Sequence, residues 1–398
     1  MTGLAVVDTA SDLSRFGQIV VLILIQVGGL GIMTLSTVFL LLTGRRPSLA
    51  ENFAVKESLT YSKEPHIFSL LLDVVRFTFV IEALGAIILF FRFLPGQSIF
   101  QALYLAVFHA VSAFCNAGFS LFSASFESYR GDWVINLVIC ILIICGGIGF
   151  LVMRELKLRF PYNRRTWRSL SLHTKLILSA SGALIVLGAG LILLMEWHNT
   201  LTDLPIHERI LAAIFQSVTA RTAGFNTIEI KYLANETLFL LIILMFIGAS
   251  PGSCGGGIKT GASTILLVLG LSRLKGLDRP QIFHRTISTA SVARAISVVL
   301  VSSIVVCAAT LVVLMTELGN MSHVMTQGKF LELLFETVSA FGTVGLSTGI
   351  TSQLSTAGKL VLTIVMFVGR LSPLVVAIAV SRQRSQRFYY AEEMIMVG

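Results

Sequence analysis

Seven apolar runs, near residues 18–43, 67–94, 133–153, 176–197, 236–272, 292–316 and 357–380, constrain this chain more than any other feature. Each reaches the ~20 residues that carry an α-helix across a ~30 Å hydrocarbon core. A soluble fold has no place for them, because surface-to-volume scaling forces many polar residues outward. Soluble domains are roughly 25% charged, whereas this chain of 398 residues is 13% charged and 55% hydrophobic. The sequence predicts an all-α integral membrane protein.

A net charge of +9 raises the question of nucleic acid, and the distribution of that charge answers it. The stretches 44–65, 154–175, 273–294 and 382–398 carry 4, 7, 5 and 3 Lys and Arg, against 1, 2, 3 and 1 in 1–15, 92–132, 198–232 and 317–358. By the positive-inside rule the first set is cytoplasmic, the tail after Val380 included. The excess base is topological, so membrane lipid is the implied surrounding and nucleic acid is not needed. Five cysteines (115, 140, 145, 254 and 307) show no CxxC or paired pattern, which implies neither a disulfide framework nor a zinc site. Four of them lie in or beside apolar runs, where a thiol acts as a small hydrophobe. Residues 1–15 lack the basic start and cleavage site of a signal peptide.

Internal repetition is the second strong signal. Phe108-His-Ala-Val-Ser-Ala-Phe-Cys-Asn-Ala-Gly118-Phe119-Ser120 aligns with Phe215-Gln-Ser-Val-Thr-Ala-Arg-Thr-Ala-Gly224-Phe225-Asn226 and with Phe335-Glu-Thr-Val-Ser-Ala-Phe-Gly-Thr-Val-Gly345-Leu346-Ser347. A similar distance before Gly118 lies Gly3, within Met1-Thr2-Gly3-Leu4. Each glycine precedes a span with its own glycine motif: Val27 to Gly31, Cys145 to Gly149, Gly248 to Gly257, and Gly369-Arg370. The unit is outer helix, short pore helix, glycine loop, inner helix, in a pseudo-fourfold arrangement. The units are 1–65, 66–172, 173–290 and 291–398, the first lacking its outer helix and most of its pore helix. Seven spans counted back from a cytoplasmic tail place residue 1 outside, so the amino terminus reads as truncated. The segments near 98–120 and 207–226 read as re-entrant, since non-helical backbone at membrane depth survives only inside protein or beside water. Ordinary extracellular amphipathic helices are the competing reading.

A cation crossing a membrane must exchange its water for other oxygens, and backbone carbonyls supply them in filters built on TVGYG loops. Turning successive carbonyls toward one axis needs positive φ, which glycine adopts without a Cβ penalty. The residues expected at the ion are Thr2, Gly3 and Leu4; Asn116, Ala117 and Gly118; Thr222, Ala223 and Gly224; and Thr343, Val344 and Gly345. The pore helices would aim the negative ends of their dipoles at it.

On these glycines, the break after Gly248 and Gly369-Arg370, the sequence resembles the Trk/Ktr/HKT superfamily of potassium transporters, most closely its bacterial Ktr membrane subunits, over essentially the whole chain. The resemblance implies a bacterial plasma-membrane location and a homodimer with one pseudo-fourfold pore per subunit. It also implies a cytoplasmic nucleotide-binding RCK/KTN ring that gates the pore, and K+ as substrate in sodium-stimulated uptake or symport, with Na+ as activator and no tightly bound cofactor. Sodium-conducting relatives carry serine at the first filter position; Gly3 points to potassium.

The fifth apolar run breaks at Gly248-Ala-Ser250-Pro251-Gly252-Ser253-Cys-Gly255-Gly256-Gly257-Ile-Lys259-Thr260-Gly261, where six glycines and a proline exclude regular helix. It reads as a flexible plug below the filter, with a hinge or helix-packing site as the plainer alternative. A phosphate-binding P-loop fails because Ile258 displaces the lysine and no strand precedes it. An intramembrane protease using Ser253 with His109 as base is the enzymatic alternative, but His109 occupies the same pore-helix position as Gln216 and Glu336. The reading is a transporter, not an enzyme. Arg370, costly at mid-span, is expected to face the bundle interior as a barrier or tether for the plug, with pairing to a buried acid as the alternative. Asp73, Arg76 and Glu82 are expected to form one helix-face network. Arg154 to Arg159 and Asn163 to Arg168 suit either anionic lipid or a gating ring.

Overall fold

The computed structural model describes residues 2–31, 67–159, 163–319 and 321–371. The second half of the first apolar run, the cytoplasmic stretch 44–65 and the tail lie outside the described residues. The chain runs through α1 (Arg15–Leu30), α2 (Ile67–Phe93), α3 (Ile99–Phe114), α4 (Trp133–Ile148), α5 (Phe150–Leu158), α6 (Arg164–Ser169), α7 (Leu172–Glu196), α8 (Ile206–Thr219), α9 (Asn235–Phe246), α10 (Thr260–Leu274), α11 (Thr289–Leu318), α12 (Lys329–Gly342) and α13 (Thr356–Leu371). The only strands among the described residues pair Gln281–Ile282 with Arg285–Thr286 in a small hairpin.

Capping residues set many of the helix starts. Ser98, Ser171 and Ser288 accept from the backbone of the first turns of α3, α7 and α11, and Asp132 accepts from Val134 N and Ile135 N. The outer helices α2, α7 and α11 hold the apolar stretches long enough to cross a membrane. They expose large side chains such as Phe79, Phe91, Leu194 and Met315, surface that belongs against lipid rather than water.

The short helices α3, α8 and α12 are enclosed by protein. Phe108, Phe215 and Phe335, their equivalent residues, are 0%, 1% and 0% exposed. Each packs on its own outer helix and on the inner helix of the unit before it: α3 on α2 and α1, α8 on α7 and α4, α12 on α11 and α9. Small residues set the closest approaches. A Cβ on Gly146 would stand 1.8 Å from Phe114 O, and one on Gly369 would stand 1.9 Å from Phe341 O. Without a hydrophobic drive between helices in lipid, such close backbone packing carries the association.

Two expectations are corrected. The third apolar run is not one continuous helix: α4 and α5 meet at 99° across Gly149, at φ 91° and ψ 138°. The intramembrane loop occupies the space a straight helix would need. A Cβ on Gly149 would lie 2.4 Å from Pro251 O, and Phe150 N donates to Gly252 O at 3.1 Å. Nor do Asp73 and Glu82 share one network. Asp73 meets Arg154 at 3.4 Å and Lys157 at 4.0 Å, whereas Glu82 accepts from Cys115 Sγ at 3.6 Å. Nine residues of helix, roughly 13 Å of rise, hold the two acids too far apart for common partners.

Candidate functional site

The four glycine loops meet. Gly3, Gly118, Gly224 and Gly345 have φ of 75°, 73°, 82° and 95°, and each abuts the next loop. A Cβ on Gly3 would stand 2.6 Å from Ala117 O, on Gly118 2.8 Å from Ala223 O, on Gly224 2.3 Å from Val344 O, and on Gly345 2.1 Å from Thr2 O. The sequence of contacts closes on itself, so four carbonyl oxygens and four glycines form one ring. Leu4, the residue after the first glycine, turns its side chain into the apolar core, as Phe225 and Leu346 do.

The second, third and fourth loops each leave the short helix before them by a tight backbone turn. Ala117 N donates to Ser112 O, Ala223 N to Thr219 O and Val344 N to Ser339 O, each at 2.9 Å. Asn116, Thr222 and Thr343, two residues before their glycines, also have positive φ, at 52°, 76° and 50°. Their side chains form a polar tier beside the ring: Asn116 and Thr222 are hydrogen-bonded at 3.3 Å, and Thr343 Oγ1 accepts from Gly256 N at 3.0 Å.

Outside the ring lies a cavity of ≈ 400 Å³ lined by all four glycines, Asp8, Ser120 and Ser347 among others. Burial raises the Asp8 carboxyl, but hydrogen bonds from Ser123, Ala10 N and Ser11 outweigh it and hold the group below its ordinary range, keeping it anionic. Nearby, Asn226 Nδ2 donates to Glu127 Oε1 at 2.7 Å. Burial, with Glu229 beside it, pushes the Glu127 carboxyl up.

Inside the ring, Gly248 to Lys259 pass between α9 and α10 without helix. A Cβ on Gly255 would stand 2.2 Å from Thr222 Oγ1, and one on Gly256 2.4 Å from Thr343 Oγ1, so the loop lies directly against the polar tier. Other units hold it: Ser250 N donates to Gly147 O at 2.9 Å, Cys254 N to Gly146 O at 3.0 Å and Gly257 N to Gly369 O at 3.2 Å. Ser250 Oγ and Thr260 Oγ1 pair at 3.0 Å across its base. Arg370 donates to Cys254 O and, at 2.7 Å, to Gly28 O, while Lys259 Nζ donates to Gly255 O. The expected gating residues Gly248, Ser250, Pro251, Gly252, Ser253, Gly255, Gly256, Gly257, Lys259, Thr260 and Arg370 are thus assembled on one side of the ring.

The protease alternative finds no geometry. His109 Nδ1 meets Leu105 O at 2.8 Å and Nε2 accepts from Leu121 N at 3.2 Å, while Ser253 Oγ has no hydrogen-bond partner among the described residues. His109 instead pins the chain leaving the second glycine loop. Glu336, its equivalent, does the same more strongly, accepting from Ser347 Oγ at 2.6 Å, Thr348 N at 3.0 Å and Thr351 Oγ1 at 2.7 Å. That role was not read from sequence. Its signal was a glutamate in an apolar pore helix followed by a Ser-Thr-Gly-Ile-Thr run. Arg221, buried behind the third loop with Ser181 Oγ at 3.1 Å, was likewise missed.

Residues 1–390 match the TrkH family, described as cation transport protein. The chain is 36% identical over 400 residues to the Ktr system potassium uptake protein B of Vibrio alginolyticus, covering all of this chain and 85% of the relative. Identity to the protein of the same name from Bacillus subtilis is also 36%, with 87% of that relative covered. The Potassium/sodium uptake protein NtpJ of Enterococcus hirae is 34% identical over 403 residues, with 87% covered. The crystal structure of the potassium transporter TrkH from Vibrio parahaemolyticus superposes with a TM-score of 0.72 at 19% identity, over 96% of this chain and 75% of that one, a likeness of fold. With a ring of glycine loops inside a multi-pass helical membrane fold and this match along nearly its whole length, the chain belongs to the TrkH family of cation transport proteins.

Proposed function

We propose that the chain is the pore-forming subunit of a potassium uptake system. The observation that carries this is the closed ring of contacts among Gly3, Gly118, Gly224 and Gly345. The carbonyls of Thr2, Ala117, Ala223 and Val344 replace the water of a dehydrating K+, as filter carbonyls do elsewhere. Helices α3, α8 and α12 end at the ring, and their C-terminal dipoles, each equivalent to about −0.5 charge, favour a cation there. Two relatives, both potassium uptake proteins by name, support the same substrate.

The loop from Gly248 to Gly261 is the barrier below the filter, with Arg370 its tether and a fixed positive charge beside the path. The four units are 1–65, 66–172, 173–290 and 291–398. The chain works as a homodimer in the bacterial plasma membrane, its tail cytoplasmic, with an RCK/KTN ring controlling the barrier and Na+ stimulating uptake. The relatives' designation as part of a Ktr system favours a partner subunit.

The test is growth of uptake-deficient cells at low K+, with 86Rb+ influx measured against rising Na+. Restored growth with influx that excess Na+ does not abolish supports the reading. Influx that follows Na+ as readily as K+ points to the broader substrate range in the name of the Enterococcus relative. Absence of flux from correctly inserted protein, with its gating partner supplied, overturns it.

A further inference from the structure

Two free cysteines meet where the intramembrane loop touches the second filter loop. Cys115 immediately precedes Asn116 and is buried, while Cys254 lies half-buried in the loop. Cys254 Sγ donates to Gly29 O at 3.4 Å, and a Cβ on that same Gly29 would stand 2.4 Å from Cys115 Sγ. Both sulfurs therefore lie against the same residue, Gly29. Their backbones are close as well: Cys254 N donates to Gly146 O at 3.0 Å, and Gly146 packs on the carbonyl of Phe114, the residue before Cys115. Arg370 holds Cys254 by its carbonyl. The transport reading uses neither sulfur.

We propose that Cys115 and Cys254 form an oxidisable dithiol whose disulfide fastens the intramembrane loop to the second filter loop. The inference rests on reading Gly248 to Gly261 as a movable barrier. Cys254, the less buried of the two residues, reacts first with a small peroxide. Its thiolate attacks one oxygen of hydrogen peroxide, the O–O bond breaks, and the departing hydroxide takes up the thiol's proton as water, leaving a sulfenic acid. The Cys115 sulfur then attacks the sulfenic sulfur; the S–S bond forms, the S–O bond breaks, and a second water leaves with the Cys115 proton. Two thiols lose two electrons and one peroxide gains them. A disulfide spans residues whose Cα atoms are roughly 4.4–6.8 Å apart, and both of these sulfurs already lie against Gly29. The covalent link reinforces the tether that Arg370 makes by hydrogen bond, and so holds the barrier in the seated position. A small dithiol reverses it by exchange.

The experiment uses the full chain in proteoliposomes, exposed to hydrogen peroxide, then alkylated and digested for mass spectrometry, with K+ flux measured in parallel. The expected result is a peptide linking Cys115 to Cys254 and a flux lowered at least about fivefold, the lower end of ordinary coupling between two states. Dithiothreitol restores the flux, and Cys115→Ala and Cys254→Ala each abolish both the link and the peroxide response. Two thiols that remain fully alkylatable after peroxide overturn the dithiol. A linked peptide with unaltered flux overturns the fastening. Failure of the barrier reading itself shows separately, as a loop-shortened chain whose flux does not rise.

Discussion

The glycine ring and the loop beneath it are both non-helical backbone at membrane depth, and they are held in opposite ways. The backbones of the second, third and fourth glycine loops are bonded to their own short helices: Ala117 N to Ser112 O, Ala223 N to Thr219 O, Val344 N to Ser339 O, and Ser112 Oγ to Phe119 O at 2.7 Å. The chain leaving the ring is pinned again by the same helix, through His109 or Glu336. The intramembrane loop depends on its neighbours, hydrogen-bonding to Gly146, Gly147, Thr343, Gly369 and Arg370. A loop whose backbone is bonded to its own helix resists displacement, whereas one held mainly by scattered bonds to other elements can shed them together. That difference suits the first to a fixed coordination site and the second to a two-state barrier.

The largest effect should come from breaking the ring. Gly345→Ala places a Cβ 2.1 Å from Thr2 O at a φ of 95°. The left-handed strain alone costs about 1–2 kcal/mol, and about 1.4 kcal/mol is tenfold in rate. 86Rb+ influx should fall at least about tenfold in protein that still inserts normally, and unchanged influx would remove the ring from the pathway. Next in size is the loop. Deleting Gly252 to Gly257 should raise flux measured without any gating subunit, and Arg370→Ala, which removes one tether rather than the segment, should raise it less. Well-folded protein with no rise in either variant shows that the loop is no barrier.

A smaller change should follow from giving the fourth unit the side chain of the third. Gln216 stands where Glu336 does, and its amide has no hydrogen-bond partner among the described residues. Glu336→Gln replaces a carboxylate acceptor with a weaker one, and hydrogen bonds to charged groups contribute roughly 1.5–3 kcal/mol each. The expected outcome is a lowered K+ over Na+ preference and a lower melting temperature; loss of stability alone would make Glu336 purely structural. The smallest effect belongs to Glu127. Its raised carboxyl ionises only above the ordinary glutamate range, so the outer mouth gains negative charge as pH climbs through that value. Its folded form holds the proton more tightly than the unfolded chain, so stability declines as pH rises through the same window. Glu127→Gln should flatten both pH profiles, and an unchanged slope would separate the group from the pore.

Much of the site was legible because its determinants are local. Gly3, Gly118, Gly224 and Gly345 needed only their repeated setting to be recognised, since positive φ is a property of the residue itself. The break after Phe246 followed from six glycines and a proline, which no tertiary packing turns into regular helix. The bend at Gly149 was hidden, because a single glycine inside an apolar run is compatible with straight helix; Pro251 and Gly252, more than a hundred residues away, impose it. Glu82 was assigned to Asp73 by sequence proximity, and its actual neighbour Cys115 lies just past the end of α3. The pinning by Glu336 depends on a chain reversal that brings Thr348 and Thr351 back over the pore helix.

By itself, the sequence determined that the chain belongs in a membrane and that its glycine loops recur. Apolar length and the asymmetry of Lys and Arg act through the free energy of transfer into lipid, a one-dimensional quantity that accumulates residue by residue. Which carbonyl faces which glycine, where the broken segment rests and what Arg370 grips were decided only in three dimensions. Those contacts join positions from different units through hydrogen bonds effective within about 3 Å, a distance that separation along the chain does not encode.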